Sequence, residues 1–153
     1  MREILFRAKA INRDGGYHRT NYKNGDWVYG LIARLYDEKY LLPALMTNTE
    51  GVSGIEVDHE TICQYTGLTD KNGNKIWEND VVRYYDDIAD MNKEDLVKWN
   101  ETHASFVRLH ESKMGLQYLY IDECIANRCS VIGNIFDNPE LLKGDITCLI
   151  NKK

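Results

Sequence analysis

The residues best suited to metal or nucleophilic chemistry in this 153-residue chain are His59 and Cys63, which stand four positions apart. Together with Cys124 and Cys129 they could offer zinc one nitrogen and three sulfur ligands. Structural zinc sites use closely spaced cysteine pairs, however, and Cys63 has no cysteine near it in the sequence. An H-E-x-x-H zinc motif also fails, because its fifth position is Cys63. We therefore predict buried, inert thiols and no metal site.

A second set of polar residues, Asp70, Asn72 and Asn74, imitates the first three ligands of an EF-hand calcium loop. The glycine falls at Gly73 instead of two positions later, and Val81 stands where that loop needs a bidentate glutamate. Patterns typical of serine hydrolases, P-loops and dinucleotide sites are absent from the sequence. We predict no catalytic residue, no cofactor and no enzymatic activity, with an enzyme based on the histidine–cysteine pair as a third hypothesis.

The stretch 12–26 is rich in Gly, Asn and Asp and predicts a long loop. Its side chains are basic and aromatic, a composition typical of single-strand nucleic-acid contacts. An exposed hairpin tip with ordinary polar residues is the favoured alternative. Trp77 and Trp99 are assigned to the core, while Tyr84 and Tyr85 are equally compatible with core and interface. The candidate partner-binding residues are Arg13, Tyr17, Arg19, Lys23, Tyr84 and Tyr85.

Charge is distributed unevenly along the chain. Residues 1–34 carry a net charge of +4, whereas residues 35–153 carry −9, which together give the chain its −5. An acidic protein binds nucleic acid poorly unless its cations are clustered. A basic segment can still bind an acidic partner, including a second copy of the chain. The expected partners are therefore the chain itself or a host or phage protein, with nucleic acid as the alternative, and a solvated face without a partner is the default interpretation.

The elements that would position these residues centre on a predicted β-hairpin. Gln64–Thr69 and Lys75–Trp77 are strand-like runs joined through Asn72-Gly73, a dipeptide that favours a two-residue type I′ turn. Glu78-Asn79-Asp80 predicts a second turn, with Asn79 in the left-handed region, before a buried strand begins at Val81. Two turns about ten residues apart indicate a small curled sheet or barrel.

Three sequence blocks resemble the YopX family of bacteriophage and prophage proteins. They are Met1–Ala8, the stretch from Gln64 to Val82 that contains Q-Y-T-G-L, D-K-N-G and D-V-V, and Val131–Leu142. Asn79 stands where members of that family usually have glycine. The resemblance implies a mainly β, SH3-like barrel and a phage or mobile-element origin. It implies no activity, because the family has none established.

We predict a mainly β fold, α+β at most: an SH3-like small barrel with additional N-terminal strands and a short C-terminal helix. A single domain would cover 1–145, with N-terminal strands in 1–58 and the barrel core in about 59–142, followed by a tail at 146–153. Pro43 predicts an edge or a bend in its strand, and Asn138 is the expected cap of the last helix. Residues 93–99 suit either a strand or a helix. Without a signal peptide or spanning segment, we expect the protein in the cytoplasm of a bacterial host, with its cysteines reduced.

Overall fold

The structure, a computed structural model, describes residues 3–11, 22–36, 41–46, 54–142 and 146. The chain separates into two units, Met1–Tyr65 and Thr66–Lys153. A single domain over 1–145 stays a prediction.

The first unit is built from antiparallel strands in the order β4-β3-β2-β1-β5. Their bounds are β1 Phe6–Lys9, β2 Trp27–Tyr36, β3 Leu41–Met46, β4 Gly54–Glu56 and β5 Cys63–Thr69, the last of which continues into the second unit. A 3-10 helix, His59–Thr61, precedes β5. Small and branched side chains form the core of this unit: Ala8, Ala10, Val28, Ile55 and Val57.

The first residues of strand β2 alternate between buried and exposed positions. Val28 is fully buried, while Tyr29 and Leu31 are about half exposed. Pro43 lies in β3, which pairs with β2 along its whole length but with β4 only through Ala44–Met46. Among the described residues, Pro43 therefore has a strand neighbour on one side only, which is compatible with its missing N–H group.

The second unit contains a hairpin and a five-stranded antiparallel sheet with the order β10-β9-β8-β7-β11. Its elements are β6 Lys75–Trp77, β7 Asp80–Asp86, β8 Met91–Asn100, β9 Ser105–Ser112, β10 Gly115–Tyr120, α1 Glu123–Ala126, β11 Ser130–Asn134 and a 3-10 helix, Pro139–Leu141. The mainly β prediction is confirmed. No closed barrel is found among the residues that the structure describes, so the SH3-like barrel stays a prediction.

Apolar clusters cover both faces of the five-stranded sheet. On one face, Val82 and Val97 pack with Ile76, Ala126 and Cys129 from the hairpin and the α1 region. On the other face, a separate apolar cluster contains Val81, Leu96, Val107, Leu109 and Ile146. Because both faces of the sheet are buried, apolar residues stand next to each other in the middle strands, as Leu96-Val97 does in β8 and Phe106-Val107 does in β9.

The turn between β5 and β6 differs from the predicted type I′ turn, which needs a positive φ at both Asn72 and Gly73. Only Gly73 has one, at 83°. The Gly73 N–H group bonds the Asp70 carbonyl, and the Asp70 N–H group bonds the Asn74 carbonyl, which closes a three-residue loop. The cause is the Asp70 carboxylate, which accepts the Asn72 and Asn74 N–H groups and draws the backbone into this shape.

The second turn agrees with its prediction. Asn79 has a φ of 67°, and the Asp80 carboxylate accepts the Trp77 N–H group at 2.8 Å. Trp77 is buried, as predicted, but Trp99 is 38% exposed, so its assignment to the core is wrong. Trp99 instead makes an edge-on contact with Phe106 near the ends of their strands.

The structure decides one open alternative, changes one helical prediction and adds a helix. Residues 93–99 form part of β8 and not a helix. The last helix is a single 3-10 turn, and the Asn138 side chain makes no capping bond to it. Helix α1 was not predicted, because its four residues are too few to show a helical period; the Asp122 side chain caps it by accepting the Ile125 N–H group.

Candidate functional site

Of the three predicted partner-binding residues that the structure describes, two lie close together. Tyr84 and Tyr85 are neighbours on β7 and both line one groove in the second unit, although their side chains leave opposite faces of the strand. Lys23 lies in the first unit, where its side chain is exposed and its N–H group donates to the Asp26 carboxylate. Arg13, Tyr17 and Arg19 lie outside the described residues.

The groove has a volume of about 420 Å³ and lies on the sheet face beside α1. Residues from β7, β8, β9, β10 and the α1 region line it, among them Tyr84, Tyr85, Lys93, Arg108, His110, Gln117 and Arg128. Its walls thus combine aromatic rings with basic and amide groups, a composition suited to recognising a polar ligand or a polypeptide.

At the centre of the site lies Asp95, whose side chain is fully buried. Arg108 Nη1 donates to Asp95 Oδ2 at 2.6 Å, and His110 Nδ1 lies 2.7 Å from Asp95 Oδ1. One carboxylate therefore holds two basic side chains, each through its own oxygen. Such charge-assisted bonds fix both side chains in position.

The strand register explains why these three residues meet. Val97 on β8 lies opposite Arg108 on β9. Side chains two residues apart in a strand share a face, so Asp95 and His110 project on the same side as this pair. The same sheet face carries the apolar cluster around Val97, which excludes water from one side of the carboxylate.

Tyr84 completes the centre of the site from the neighbouring strand. The Arg108 guanidinium lies 4.7 Å from the centre of the Tyr84 ring, a cation–π contact, and the Tyr84 hydroxyl lies 3.4 Å from His110 Nδ1. Burial, together with the negative charge of Asp95, raises the pKa of Tyr84 above its ordinary value. The phenol therefore stays neutral and acts as a packing and hydrogen-bonding group.

The rim of the groove is charged and apolar. Lys93 pairs with Asp86 at 2.5 Å, and the hydrogen bond from Lys93 lowers the pKa of Asp86 to about 2. Tyr85 donates its hydroxyl to Asp90, and this bond raises the pKa of Tyr85. Ile88, at the tip of the β7–β8 turn, is 99% exposed. An exposed aliphatic side chain next to a half-exposed tyrosine is typical of protein interfaces.

Arg108 and His110 both line the groove. Each residue is about nine-tenths buried, and the Asp95 carboxylate contacts each of them through one nitrogen, Arg108 Nη1 and His110 Nδ1. Because Asp95 and Tyr84 fix these side chains, both are oriented before any ligand arrives. The planar Arg108 guanidinium is suited to bind an acceptor such as a carbonyl or carboxylate oxygen.

Comparison with known proteins identifies the family. A profile of the YopX protein family matches residues 15–143. The chain belongs to the YopX family. A crystal structure of protein EF1440 from Enterococcus faecalis is similar over 92% of this chain and 99% of that one, with 23% identity and a TM-score of 0.45. No curated protein matches the chain.

The cysteines that the structure of this YopX-family chain describes differ in burial. Cys63 and Cys129 are fully buried, which confirms the prediction for these two thiols, and burial raises the pKa of Cys129. Cys124 is exposed on α1, so the prediction of burial is wrong for it, and Cys148 lies outside the described residues. Among the described residues, no group of three or more His, Cys, Asp or Glu side chains is arranged to hold a metal ion.

A larger cavity, of about 700 Å³, lies in the same unit. Leu141, Leu142 and Ile146 form part of its wall, next to residues 143–145, which are not described. We therefore centre the candidate site on the smaller groove, whose lining residues are all described. No helix in the described ranges is long and apolar enough to cross a membrane.

The sequence reasoning missed Asp95, Arg108 and His110. Asp95 follows several other charged residues in the sequence, a pattern typical of an exposed segment, yet it is among the most buried of the described residues. One signal in the sequence points to the cluster: Arg108 interrupts an apolar stretch that is buried on both sides. A charge in such a strand needs a buried partner of opposite sign.

Proposed function

We propose that this YopX-family chain is a phage- or prophage-type accessory protein without enzymatic activity, which works in the bacterial cytoplasm by binding another protein. Its partner contacts the groove lined by Tyr84 and Tyr85. The observation that carries this proposal is the pair of fixed polar side chains, Arg108 and His110, at the base of a groove with an aromatic and apolar rim. Side chains that are already oriented lose little conformational entropy when a partner binds.

The partner is expected to place a main-chain carbonyl or an acidic side chain at the Arg108 guanidinium. The flanking Tyr85 and Ile88 would pack against its apolar side chains, since aromatic and aliphatic anchors supply most of the free energy of binding at interfaces. The paired charges Lys93–Asp86 and Arg128–Asp87 form a polar rim around this contact.

We also propose the SH3-like architecture for the barrel core. Strands β7 to β10 form a meander, and β11 then returns to pair with β7. This return of the last strand to the first one supports the proposal, because it is the step by which a small sheet approaches closure.

Photo-crosslinking tests the proposed function. A photoreactive phenylalanine analogue would replace Tyr85 in one variant and Tyr29 in a control, because both tyrosines are 48% exposed but they lie in different units. In phage-induced host cells, we expect a discrete protein adduct from position 85 and none from position 29, with mass spectrometry to identify it.

The variant Arg108→Lys tests whether the adduct at position 85 depends on the contacts of Arg108. Lysine keeps the charge but lacks the planar group that stacks on Tyr84 while bonding Asp95. We expect the adduct at position 85 to disappear in this variant while its circular dichroism spectrum stays native. The same adducts at both positions, or an adduct that Arg108→Lys does not affect, would contradict the proposal.

A second candidate function is nucleic-acid binding through the basic loop with Arg13, Tyr17, Arg19 and Lys23. The observation in its favour lies beside that loop, where Arg7 and Lys9 stand over the Trp27 ring at 4.6 and 5.2 Å. Such basic and aromatic combinations bind single strands. Salt-dependent retention of single-stranded DNA or RNA, lost on changing Arg13, Arg19 and Lys23 to alanine, would support it, and retention that those changes leave intact would exclude this loop.

A further inference from the structure

Strand β10, Gly115–Tyr120, forms one edge of the five-stranded sheet, and β9 is its one strand neighbour among the described residues. Its sequence, G-L-Q-Y-L-Y, contains no charge and no proline. Natural edge strands are usually protected from pairing by such residues, by bulges or by covering segments. Strand β10 has neither of the two sequence-based protections, charge or proline.

The opposite edge of the same sheet is protected. The pairing of β11 with β7 is irregular between Val131 and Gly133. The segment after β11 also lies against Gly133, where an added Cβ would come within 2.4 Å of Asn138 Oδ1 and 2.8 Å of Leu141 Cδ1. The β11 edge is thus irregular and covered, whereas the β10 edge is regular and uncharged. Of the two, β10 is the edge available for pairing.

We propose that β10 pairs antiparallel with β10 of a second copy of this chain, so that two sheets join into one across a two-fold axis. With Tyr118 opposite Tyr118 of the partner subunit, Leu116 lies opposite Tyr120 of the partner subunit, and these side chains all project from one sheet face. Tyr118 and Tyr120 are 55% and 67% exposed in the single chain. Pairing removes much of this aromatic surface from water.

Charges at the strand ends favour this partner and this direction. Lys113 precedes β10, while Asp122 and Glu123 follow it. Antiparallel pairing brings the basic end of each copy towards the acidic end of the other, whereas parallel pairing would place like charges together. A second copy of the chain therefore offers both an uncharged strand and strand ends of complementary charge. These local contacts act against the long-range repulsion between two chains of net charge −5.

This pairing goes beyond the proposed groove function and does not depend on it. Gln117 and Leu119 project from the other face of β10 and line the groove. In a two-fold antiparallel pair the same faces of both sheets stay on one side. The two grooves of the dimer therefore open on the same face, on either side of the new strand pair.

A charge-swap experiment tests the proposal by sedimentation velocity. The wild-type chain should dimerise in a concentration-dependent way, and Tyr118→Lys or Tyr118→Glu alone should weaken dimerisation roughly tenfold or more, because like charges would face each other across the axis. An equimolar mixture of the two variants should recover the dimer. Tyr29→Lys, at a tyrosine of 48% exposure on an inner strand, is the control and should leave the dimer intact.

A disulfide gives a second measurement that does not depend on how well the charged variants fold. Directly opposed residues of antiparallel strands have Cα atoms about 4.5–5.5 Å apart, within the range of a disulfide. In a Cys124→Ser background, Tyr118→Cys should form a covalent dimer on mild oxidation, while Tyr29→Cys should not. A wild-type chain that stays monomeric at all concentrations, a mixture that fails to recover the dimer, or equal crosslinking at position 29 would overturn the proposal.

Discussion

Two buried aspartates of the second unit, Asp70 and Asp95, are held in opposite ways. Backbone N–H groups of Asn72, Asn74 and Val131 donate to the Asp70 carboxylate, at 2.8 to 2.9 Å. Side chains on β9 donate to Asp95 instead. Asp70 therefore joins a turn to a distant strand through the main chain, whereas Asp95 organises two basic side chains that also line a groove.

The comparison indicates two different reasons for burying a charge. Asp70 stabilises the fold, whereas Asp95 positions side chains of the candidate site. Burial acts to raise the pKa of Asp70, but its hydrogen bonds from Val131 and Asn74 outweigh that effect and lower the pKa below the ordinary value. Three of its donors belong to the main chain and are present whatever the neighbouring side chains are, while Asn74 Nδ2 adds a side-chain bond at 3.1 Å. The donors of Asp95 are themselves replaceable side chains, and a fold that needed only stability could use apolar residues in their place.

The largest expected effect is on the Asp95 cluster. Asp95→Ala leaves Arg108 and His110 buried without their anion, and we expect it to lower the free energy of unfolding by about 4 kcal/mol. Replacing all three residues with leucine should restore much of that loss, since apolar side chains can substitute for a buried ion pair. Urea unfolding followed by fluorescence measures both changes.

The triple variant also tests the groove. It should remain folded yet yield no crosslinked partner from position 85, because the fixed donors are gone. A triple variant as unstable as Asp95→Ala would show that this cluster is needed for stability and would remove the contrast with Asp70.

Removing the Asp70 carboxylate has the next largest effect. Asp70→Ala leaves three backbone N–H groups near the β5–β6 turn without their acceptor, which we expect to cost about 3 kcal/mol in the free energy of unfolding. The measurement is the same urea titration. Here no apolar substitution should help, because the unpaired donors belong to the backbone.

Asp70→Leu is the matched comparison for the triple variant. It should be at least as unstable as Asp70→Ala, in contrast to the recovery expected around Asp95. Recovery of stability in Asp70→Leu would mean that the turn finds other acceptors, and the two aspartates would then be alike.

The same contrast explains what the sequence could predict. Local chemistry governs the Asp70 region, so the strands on either side, the left-handed Asn79 and the buried Val81 follow from neighbouring residues. The turn type was wrong because the Asp70 side chain competes for the backbone N–H groups, which a dipeptide rule does not include.

The Asp95 cluster could not be predicted in the same way. Its members lie 13 and 15 residues apart and meet only through the β8–β9 register. Sequence alternation gives each strand its faces but does not fix which residues of two strands stand opposite each other. Tyr84 and Tyr85 were recognised as candidates from residue type alone, without the partners that make Tyr84 part of the site.

The smallest effect concerns the groove rim and depends on pH. The hydrogen bond from Lys93 lowers the pKa of Asp86 from 3.8 to about 2 in the folded chain. A carboxyl with a lowered folded pKa contributes stability above its unfolded pKa and loses it as the pH falls, here between about 4 and 2. Asp86→Asn should therefore flatten the fall in stability across this range, measured by thermal unfolding at a series of pH values.

Asp87→Asn is the control on the same rim, since it removes the exposed pair with Arg128 and leaves Asp86 in place. High salt should reduce the contribution of Asp86, because its ion pair is open to solvent and ions screen it. Asp70 also has a lowered pKa, but its donors are largely backbone groups that salt screens little. Part of the acid-dependent loss that remains in Asp86→Asn at high salt should therefore belong to Asp70, and this loss should be smaller in the double variant with Asp70→Ala.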